Sequence, residues 1–363
     1  MKSIPPKLSL AKLWRSPRRE GTREGLELMD RNERTADFPP EVISKLRELV
    51  TPFLLRAYPE PEKLYQKLVQ WLAVPREWIL LTMGADGGLR SVFETFVEPG
   101  DEVVSVSPSY AMIPVYCGLS GAVARPVPFN EDLSLPLERI LDEITDKTKV
   151  VLLANPNQPI ERVYSETECQ TLLEKCLRHE ALLVMDEAYH HFCDVTALPS
   201  IKRYGNLIVA RTFSKAFGIA GVRLGYLVSQ PENIWNLSKV RPMYETHSLA
   251  IAIGTYLLEN DHLMKSYVGE VKESVRFLRS ALQGLGLPAY GKWSNSVLVA
   301  FPFEIPALQI GRALREQGFL VRVETTAPLS NHLRITVGTM EQTSRFLHLF
   351  EKIVANCKAH PVS

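Results

Sequence analysis

Between about residues 78 and 230, short apolar blocks that predict β-strands alternate with segments of helical spacing. This alternation is typical of an α/β fold, in which a mostly parallel sheet carries helices on both faces. Most of the blocks are continuous runs of Val, Leu and Ile, as expected for strands that are covered on both sides. The predicted strands are 102–107, 149–154, 181–186, 206–210 and 222–228.

After about residue 231 the pattern changes to that of a smaller α+β unit. A long helical segment at 261–285 ends in Gly284 and Gly286, with Pro288 following, and these residues are helix-stop signals. Strands at 296–301, 319–323 and 332–337 and helices at 307–317 and 340–355 are predicted beyond it. We therefore predict an N-terminal arm at 1–35, a large domain at 36–260 and a small domain at 261–363, against which the early helices can also pack.

Charge and cysteine content exclude several classes of protein. Lys and Arg (42) nearly balance Asp and Glu (41), so no global basic field exists for nucleic acid or an anionic membrane. No apolar run reaches the about 18 residues that a membrane-spanning helix needs. The five cysteines form no C-x-x-C pair, which indicates a reducing, cytoplasmic location. His190 and His191 are adjacent but have no further ligands at a typical spacing, so no metal site is expected.

The basic first 25 residues indicate either an organelle transit peptide or, as we prefer, an arm that docks on a partner subunit.

Three segments carry residues suited to chemistry. Lys215 lies among small residues after a predicted strand, eight positions before Arg223, a spacing that suits a Schiff-base amine beside an anion-binding arginine. The alternative is a surface lysine in a glycine-rich loop. Asp186 ends the predicted strand 181–186, where open α/β sheets bind ligands, although it could instead cap a helix. Residues 84–88 (Gly-Ala-Asp-Gly-Gly) begin a helical stretch whose free N–H groups would hold a phosphate.

These segments come in a recognisable order, with Pro-Ser-Tyr at 108–110, Asn-Pro-Asn-Gln-Pro at 155–159, and flanking motifs at 28–33 and 332–339. Together they resemble the fold-type I pyridoxal-phosphate-dependent aminotransferases of class I and II, especially the histidinol-phosphate aminotransferase group. The resemblance implies a three-layer large domain with a mostly parallel sheet, a small α+β domain, pyridoxal 5'-phosphate as cofactor and a homodimer with shared active sites. It also implies Schiff-base transfer of an amino group from an L-amino acid, or an amine derived from one, to a 2-oxo acid.

The resemblance also implies roles for individual residues. Lys215 matches the lysine that holds the cofactor and moves the substrate's α-proton, and Asp186 matches the aspartate paired with the pyridine nitrogen. Tyr189 matches the tyrosine bonded to the cofactor's 3'-oxygen, and Tyr110 the aromatic residue stacked on its ring. The implied phosphate ligands are Ala85, Asp86, Thr212 and Arg223, joined by Tyr58 from the neighbouring subunit unless Tyr58 only packs before its proline.

The loop after the predicted strand 149–154 departs from the family's pattern. Gln158 stands where the family has an asparagine that binds the 3'-oxygen, so either the loop shifts or the neighbouring Asn157 substitutes. Ile160 and Glu161 replace a Thr-Gly pair, which removes the backbone freedom of glycine. These changes leave other outcomes on the same scaffold open, namely decarboxylation, elimination or cyclodehydration of a guanidino amino acid. A non-catalytic regulator fused to a DNA-binding module is not expected, since few residues precede position 28.

Three residues concern the substrate. Arg334 matches the arginine whose planar guanidinium clamps the α-carboxylate, although it could be only an exposed strand residue. Asp30 and Glu245 stand where the histidinol-phosphate group usually has asparagine. Added carboxylates would repel a phosphate, so we hypothesise a substrate whose distal end is cationic or neutral. In the alternative, both carboxylates pair with arginines such as Arg31 or Arg241 and never contact substrate.

Overall fold

The protein is described by a computed structural model that covers residues 4, 7–11, 13, 22–134 and 137–359. The strands in chain order are β1 (Glu27–Met29), β2 (Ile79–Thr82), β3 (Glu102–Ser107), β4 (Val123–Pro128), β5 (Thr148–Ala154), β6 (Leu182–Asp186), β7 (Leu207–Thr212), β8 (Gly225–Ser229), β9 (Ala289–Tyr290), β10 (Ser296–Ala300), β11 (Phe319–Glu324) and β12 (His332–Thr336). The helices are α1 (Leu8–Ala11), α2 (Pro40–Glu48), α3 (Pro52–Arg56), α4 (Glu62–Leu72), α5 (Gly84–Phe96), α6 (Ile113–Ser120), α7 (Leu137–Asp142), α8 (Glu166–Arg178), α9 (Pro231–Ser238), α10 (Ser248–Glu259), α11 (His262–Gly284), α12 (Ala307–Glu316) and α13 (Met340–Ala359).

The large domain is built on a seven-stranded sheet with the order β2-β8-β7-β6-β5-β3-β4. The strands β4, β3, β5, β6 and β7 are parallel, whereas β8 runs antiparallel to both β7 and β2. The predicted mostly parallel sheet is therefore confirmed. The strand predicted at 222–228 begins instead at Gly225, because residues 220–222 form a 3-10 turn and Arg223 has a positive φ of 57°.

The small domain has a five-stranded sheet with the order β1-β11-β12-β10-β9. Its first strand comes from the segment predicted as an arm, since residues 27–29 pair in parallel with β11. The long helix α11 ends where the sequence predicts, and Gly286 just beyond it takes a positive φ of 76°. This domain therefore takes strands from both ends of the chain.

The described part of the N-terminal segment contacts the large domain of the same chain. Helix α1 contacts α6, and the Leu13 side chain lies over Gly118. Docking of the arm on a partner subunit stays a prediction, and residues 1–3, 5–6, 12 and 14–21 lie outside the described part.

The core of the large domain lies on both faces of its sheet, because alternate residues of the central strands belong to two buried apolar clusters. Strands β5, β6 and β7 are almost wholly buried, as continuous apolar runs require. All five cysteines are buried and free. Within the described residues, no helix combines the length and apolar character needed to span a bilayer, and no group of three potential ligand residues could hold a metal ion.

Candidate active site

A cleft of about 1220 Å³ lies between the two domains, at the carboxyl ends of β5, β6 and β7. Both sheets contribute to its wall, because β12 of the small domain faces these strand ends. The structure places ten of the predicted site residues in the lining of this cleft: Asp30, Ala85, Tyr110, Gln158, Asp186, Tyr189, Thr212, Lys215, Arg223 and Arg334. Four others do not line it, namely Tyr58, Asp86, Asn157 and Glu245.

Asp186 is the last residue of β6 and is only 7% exposed. Its carboxylate accepts a hydrogen bond from the Ala188 N–H (3.1 Å). Burial raises the pKa of Asp186 to about 6, although that hydrogen bond favours the ionised form. A positively charged group bound beside this carboxylate would lower its pKa again, so the site is suited to hold a cation in the cleft.

Lys215 follows β7 by three residues, and its Nζ donates to the backbone oxygen of Arg31 (2.9 Å). Burial, and next the positive charge of Arg334, lower the pKa of Lys215 to about 8, while Glu33 and Asp186 oppose the shift. The neutral amine is the nucleophilic form, and this shift makes it far more abundant near neutral pH. Lys215 is therefore poised to attack a carbonyl carbon.

Tyr189 is held by a residue that the sequence analysis did not select. Asn32 donates from Nδ2 to the Tyr189 hydroxyl (2.9 Å), and its own N–H donates to Thr336 Oγ1 (2.9 Å). Asn32 is buried and has a positive φ of 54°, a conformation that asparagine tolerates. Because the tyrosine oxygen accepts from Asn32, its own proton is left to donate toward the cleft. Asn32 lies within the motif at 28–33, but only the fold places it beside Tyr189.

An anion cradle lies at the start of α5. The N–H groups in the first turn of a helix have no intrahelical partners, and here they adjoin the guanidinium of Arg223. A Cβ at Gly84 would lie 2.8 Å from Arg223 Nη2, and one at Gly225 would lie 2.5 Å from the Gly84 carbonyl carbon. The hydroxyl of Thr212 accepts from the Ser214 N–H (3.1 Å), and Ser214, which sequence reasoning missed, also lines the cleft. The cradle therefore fits a phosphate group.

The side chain of Asp86 bonds to two tyrosine hydroxyls, while its predicted place at the helix N-terminus concerns its backbone. Its carboxylate accepts from the hydroxyl of Tyr110 (2.7 Å) and from that of Tyr116. The carboxylate thus orients the Tyr110 ring, which lines the cleft, and only the backbone of Asp86 at the helix N-terminus remains as a direct anion ligand. Burial raises the pKa of the Tyr110 hydroxyl, so it stays protonated.

The loop after β5 uses its amides for structure. Asn157 is fully buried, with Oδ1 accepting from Ser109 Oγ (2.6 Å) and Nδ2 donating to the Pro108 and Ile160 oxygens (3.1 and 2.9 Å). Its amide therefore shapes the loop and does not reach the cleft. Gln158 lines the cleft, but its Oε1 accepts from Ser296 Oγ of the small domain (3.2 Å).

At the far end of the cleft, Arg334 presents a donor. Its Nη2 donates to the Asp30 backbone oxygen (3.3 Å), and its Nε is buried and lacks a hydrogen-bond partner among the described residues. Arg23, Arg31 and Arg322 line the same end. Since Arg322 pairs with Glu324 (3.7 Å) and Arg23 with Asp30 and Glu33, the unused Nε of Arg334 is the donor best suited to an anionic substrate group.

For Asp30 the structure favours the alternative, in which the carboxylate pairs with arginines of the same chain. Asp30 is 3% exposed and forms ion pairs with Arg23 (2.5 Å) and Arg31 (3.5 Å), so its charge is neutralised within the protein. Arg23, which sequence reasoning missed, also pairs with Glu33 (2.7 Å). Arg31 is the partner named in the alternative above, whereas Arg23 lies in a segment without local periodicity that carries no signal for this contact.

Glu245 and Tyr58 lie together outside the cleft of their own chain. Burial raises the pKa of Glu245 to about 7, while the positive charge of Arg241 opposes the shift. The Tyr58 ring stacks on that of Tyr244 at 4.2 Å between centroids, and the Tyr58 side chain is 73% exposed. This surface therefore contacts no substrate bound in the same chain's cleft.

Comparisons with known proteins agree with this geometry. Residues 28–350 match the family described as aminotransferase class I and II. The chain is 32% identical over 331 residues to the histidinol-phosphate aminotransferase of Caldanaerobacter subterraneus subsp. tengcongensis, covering 90% of this chain and 93% of that protein. It is 33% identical to the enzyme of the same name from Symbiobacterium thermophilum, covering 88% of each. The fold matches the crystal structure of the Sinorhizobium meliloti histidinol-phosphate aminotransferase in complex with pyridoxal-5'-phosphate, with a TM-score of 0.84, 24% identity and coverage of 96% of this chain and 97% of that one.

Proposed function

The chain belongs to the class I and II aminotransferase family and is a pyridoxal-phosphate-dependent aminotransferase, and we propose that its reaction takes place in the cleft around Lys215. The observation that carries this assignment is the position of a nucleophilic amine, a buried carboxylate and an anion cradle in one cleft. When bound, pyridoxal phosphate supplies an electron sink for the electrons released at the substrate's α-carbon.

Each residue of the cleft has a defined task in this proposal. The first turn of α5, Thr212, Ser214 and Arg223 would hold the phosphate, and Asp186 would keep the ring nitrogen protonated. Lys215 Nζ would hold the cofactor covalently until the substrate's amino group takes its place, and the freed amine would then move a proton between the substrate's α-carbon and the cofactor's C4'. Its lowered pKa supports this second task, because a neutral amine can accept a proton near neutral pH.

We propose that the amino donor is an L-amino acid, or an amine derived from one, whose anionic group binds Arg334, and that the acceptor is a 2-oxo acid. The buried Nε of Arg334 supports this, since it offers an unused charged donor. The relatives named above are histidinol-phosphate aminotransferases. Because Asp30 is neutralised by Arg23 and Arg31, its carboxylate gives no reason to exclude a phosphorylated donor.

The experiment that tests this function is a donor panel. Purified protein loaded with pyridoxal phosphate is incubated with L-amino acids and with histidinol phosphate, and the cofactor's absorption spectrum and the product masses are recorded. Conversion of the cofactor to pyridoxamine phosphate means amino transfer, whereas release of carbon dioxide or water without that conversion contradicts it. Turnover by Lys215→Ala would refute the assigned site.

We also propose a cytoplasmic homodimer with shared active sites. Apolar side chains cluster on the surface around Tyr58, and this surface supports burial against a second copy of the chain. The exposed members are Phe53, Leu55, Met243 and Tyr244. A cytoplasmic location is supported by the five buried cysteines, which are free thiols.

Mixed dimers test the shared site. Lys215→Ala and Tyr58→Ala are each expected to lower activity when assayed alone. If Tyr58 completes the partner's site, mixing them creates heterodimers with one intact site, and about a quarter of all sites recover. No recovery in a mixture that sedimentation shows to have exchanged subunits would refute the sharing.

A further inference from the structure

Glu161 joins the two domains through its carboxylate. It lies in the large domain, in the loop that connects β5 to α8. Its Oε2 accepts from the N–H groups of Lys292 (2.8 Å) and Trp293 (3.0 Å), and its Oε1 accepts from Ser294 Oγ (2.6 Å). These three donors lie in the small domain, in the turn between β9 and β10. We call this set of contacts the clasp.

A side-chain network extends the clasp toward the cleft. Gln158 Nε2 donates to Glu161 Oε1 (3.3 Å), while Gln158 Oε1 accepts from Ser296 Oγ (3.2 Å). Ser294 and Ser296 are themselves within hydrogen-bond distance (3.1 Å). Two of the three residues by which this loop departs from its family, Gln158 and Glu161, therefore both bind the small domain.

The small-domain end of the clasp is linked to the substrate-binding strand. Ser296 begins β10, which pairs with β12 so that Ser296 lies opposite Thr336 and Leu298 opposite Arg334. The large-domain end is anchored as well, because Asn157 Nδ2 donates to the Ile160 oxygen (2.9 Å) and the Ile160 side chain is buried. The clasp thus links the strand that carries Arg334 to the sheet that carries Asp186.

We propose that Glu161 is a positioning residue that holds the small domain against the large domain before substrate binds, so that Arg334 already stands at its working distance from Lys215. The inference rests on the proposed role of Arg334 as the anion clamp. A glycine at position 161, as the family usually has, offers no acceptor for the three donors. Without the clasp, part of the substrate's binding energy would be spent on closing the cleft.

The first test measures the clasp without any substrate. Hydrogen exchange of the Lys292 and Trp293 amides is recorded in the cofactor-loaded wild type and in Glu161→Gly, Glu161→Gln and the control Glu166→Gln. Glu166 is an exposed carboxylate on the first turn of α8, outside the clasp. We expect exchange about tenfold faster in Glu161→Gly, as for the loss of a charge-assisted hydrogen bond, an intermediate effect in Glu161→Gln and wild-type exchange in the control. Equal exchange in wild type and Glu161→Gly would overturn the proposal.

The second test is kinetic and uses the donor that reacts best in the panel. Glu161→Gly is expected to raise the KM for that donor about tenfold and to leave kcat within about twofold, because a less populated closed state weakens apparent binding without altering the chemistry. Ser294→Ala should shift KM in the same direction by less, and the double variant Glu161→Gly/Ser294→Ala should show no further shift beyond Glu161→Gly. A fall in kcat at unchanged KM would contradict a positioning role.

The two tests separate this proposal from the proposed function. If no donor reacts with the wild-type protein, the assigned aminotransferase reaction fails, while the exchange experiment still decides whether Glu161 holds the domains together. If Glu161→Gly folds poorly, Ser294→Ala removes one donor from the opposite side. Faster exchange at Lys292 in that variant would support the clasp, and unchanged exchange would oppose it.

Discussion

A buried ion pair behind the cleft gives the sharpest stability prediction. Glu187 follows Asp186, Arg211 precedes Thr212, and their side chains are 0% and 5% exposed. The Arg211 guanidinium donates twice to Glu187 Oε2, at 3.0 Å from Nε and 2.8 Å from Nη2. The carboxylate also accepts from Thr196 Oγ1 (2.7 Å) and the Ala197 N–H (2.6 Å). The pair thus ties the end of β6 to that of β7, where Asp186 and Thr212 face the cleft.

The expected cost follows from burial. Replacing Glu187 by Met leaves the Arg211 charge buried and uncompensated, and such losses cost about 3–5 kcal/mol. The matched control is the exposed pair Lys45 and Glu48 at 3.0 Å, with both side chains about 60% exposed. Removing a solvent-exposed pair of this kind costs about 0–1 kcal/mol, so Glu48→Met should leave stability nearly unchanged.

The assay is urea-induced unfolding of the cofactor-free variants, with the change in the free energy of unfolding taken from midpoint shifts at constant m-value. The double variant Glu187→Met/Arg211→Met is expected to be more stable than Glu187→Met alone, because it removes the uncompensated charge. If Glu187→Met costs no more than Glu48→Met, or if adding Arg211→Met destabilises the protein further, the electrostatic reasoning is wrong.

Three further predictions concern the cleft itself. In the cofactor-free protein, labelling of Lys215 by an amine reagent should show a midpoint near pH 8, since burial depresses its pKa, and a midpoint near the ordinary value of 10.5 would contradict this. Asn32→Asp keeps the shape of the side chain but removes the N–H that is donated to Tyr189. The variant should therefore shift the pH at which the bound cofactor's absorption changes, in the same direction as Tyr189→Phe does. An unchanged, wild-type pH dependence would refute the contact. Gly225→Ala should weaken pyridoxal phosphate binding at least about tenfold, because the added Cβ would meet backbone atoms at the start of α5. Gly269→Ala is the control, because open space surrounds Gly269. It should leave binding unchanged and raise the free energy of unfolding by about 0.5–1 kcal/mol.

Strand prediction succeeded for the longer strands that are buried on both faces, whereas the short buried strand β2 was missed, as were strands without such burial. Strands β5, β6 and β7 contain continuous apolar runs and β3 is rich in valine, so their sequence alone indicates them. Strand β4 was missed because it is an exposed edge strand that contains Pro126 and Pro128, which only an edge tolerates. Strand β1 was missed because three residues carry no periodicity and their partner, β11, lies almost the whole chain away.

For the site, the local sequence identified residues whose position depends on a strand end. Lys215 and Asp186 follow the carboxyl ends of buried strands, and such ends meet at one edge of a parallel sheet whatever the rest of the chain does. The sequence by itself therefore determined the cleft's location and its chemical class.

What only the tertiary structure decided is how each polar side chain is used. Asp30 was expected to attract a cation, but Arg23 and Arg31 neutralise it. Glu161 was known only as the loss of a glycine, and its donors lie more than 130 residues away, at 292–294. The physical reason is that a charge or hydrogen-bonding group acts through the atoms within a few ångströms of it. Those neighbours come from distant parts of the chain, and no local pattern of residues specifies them.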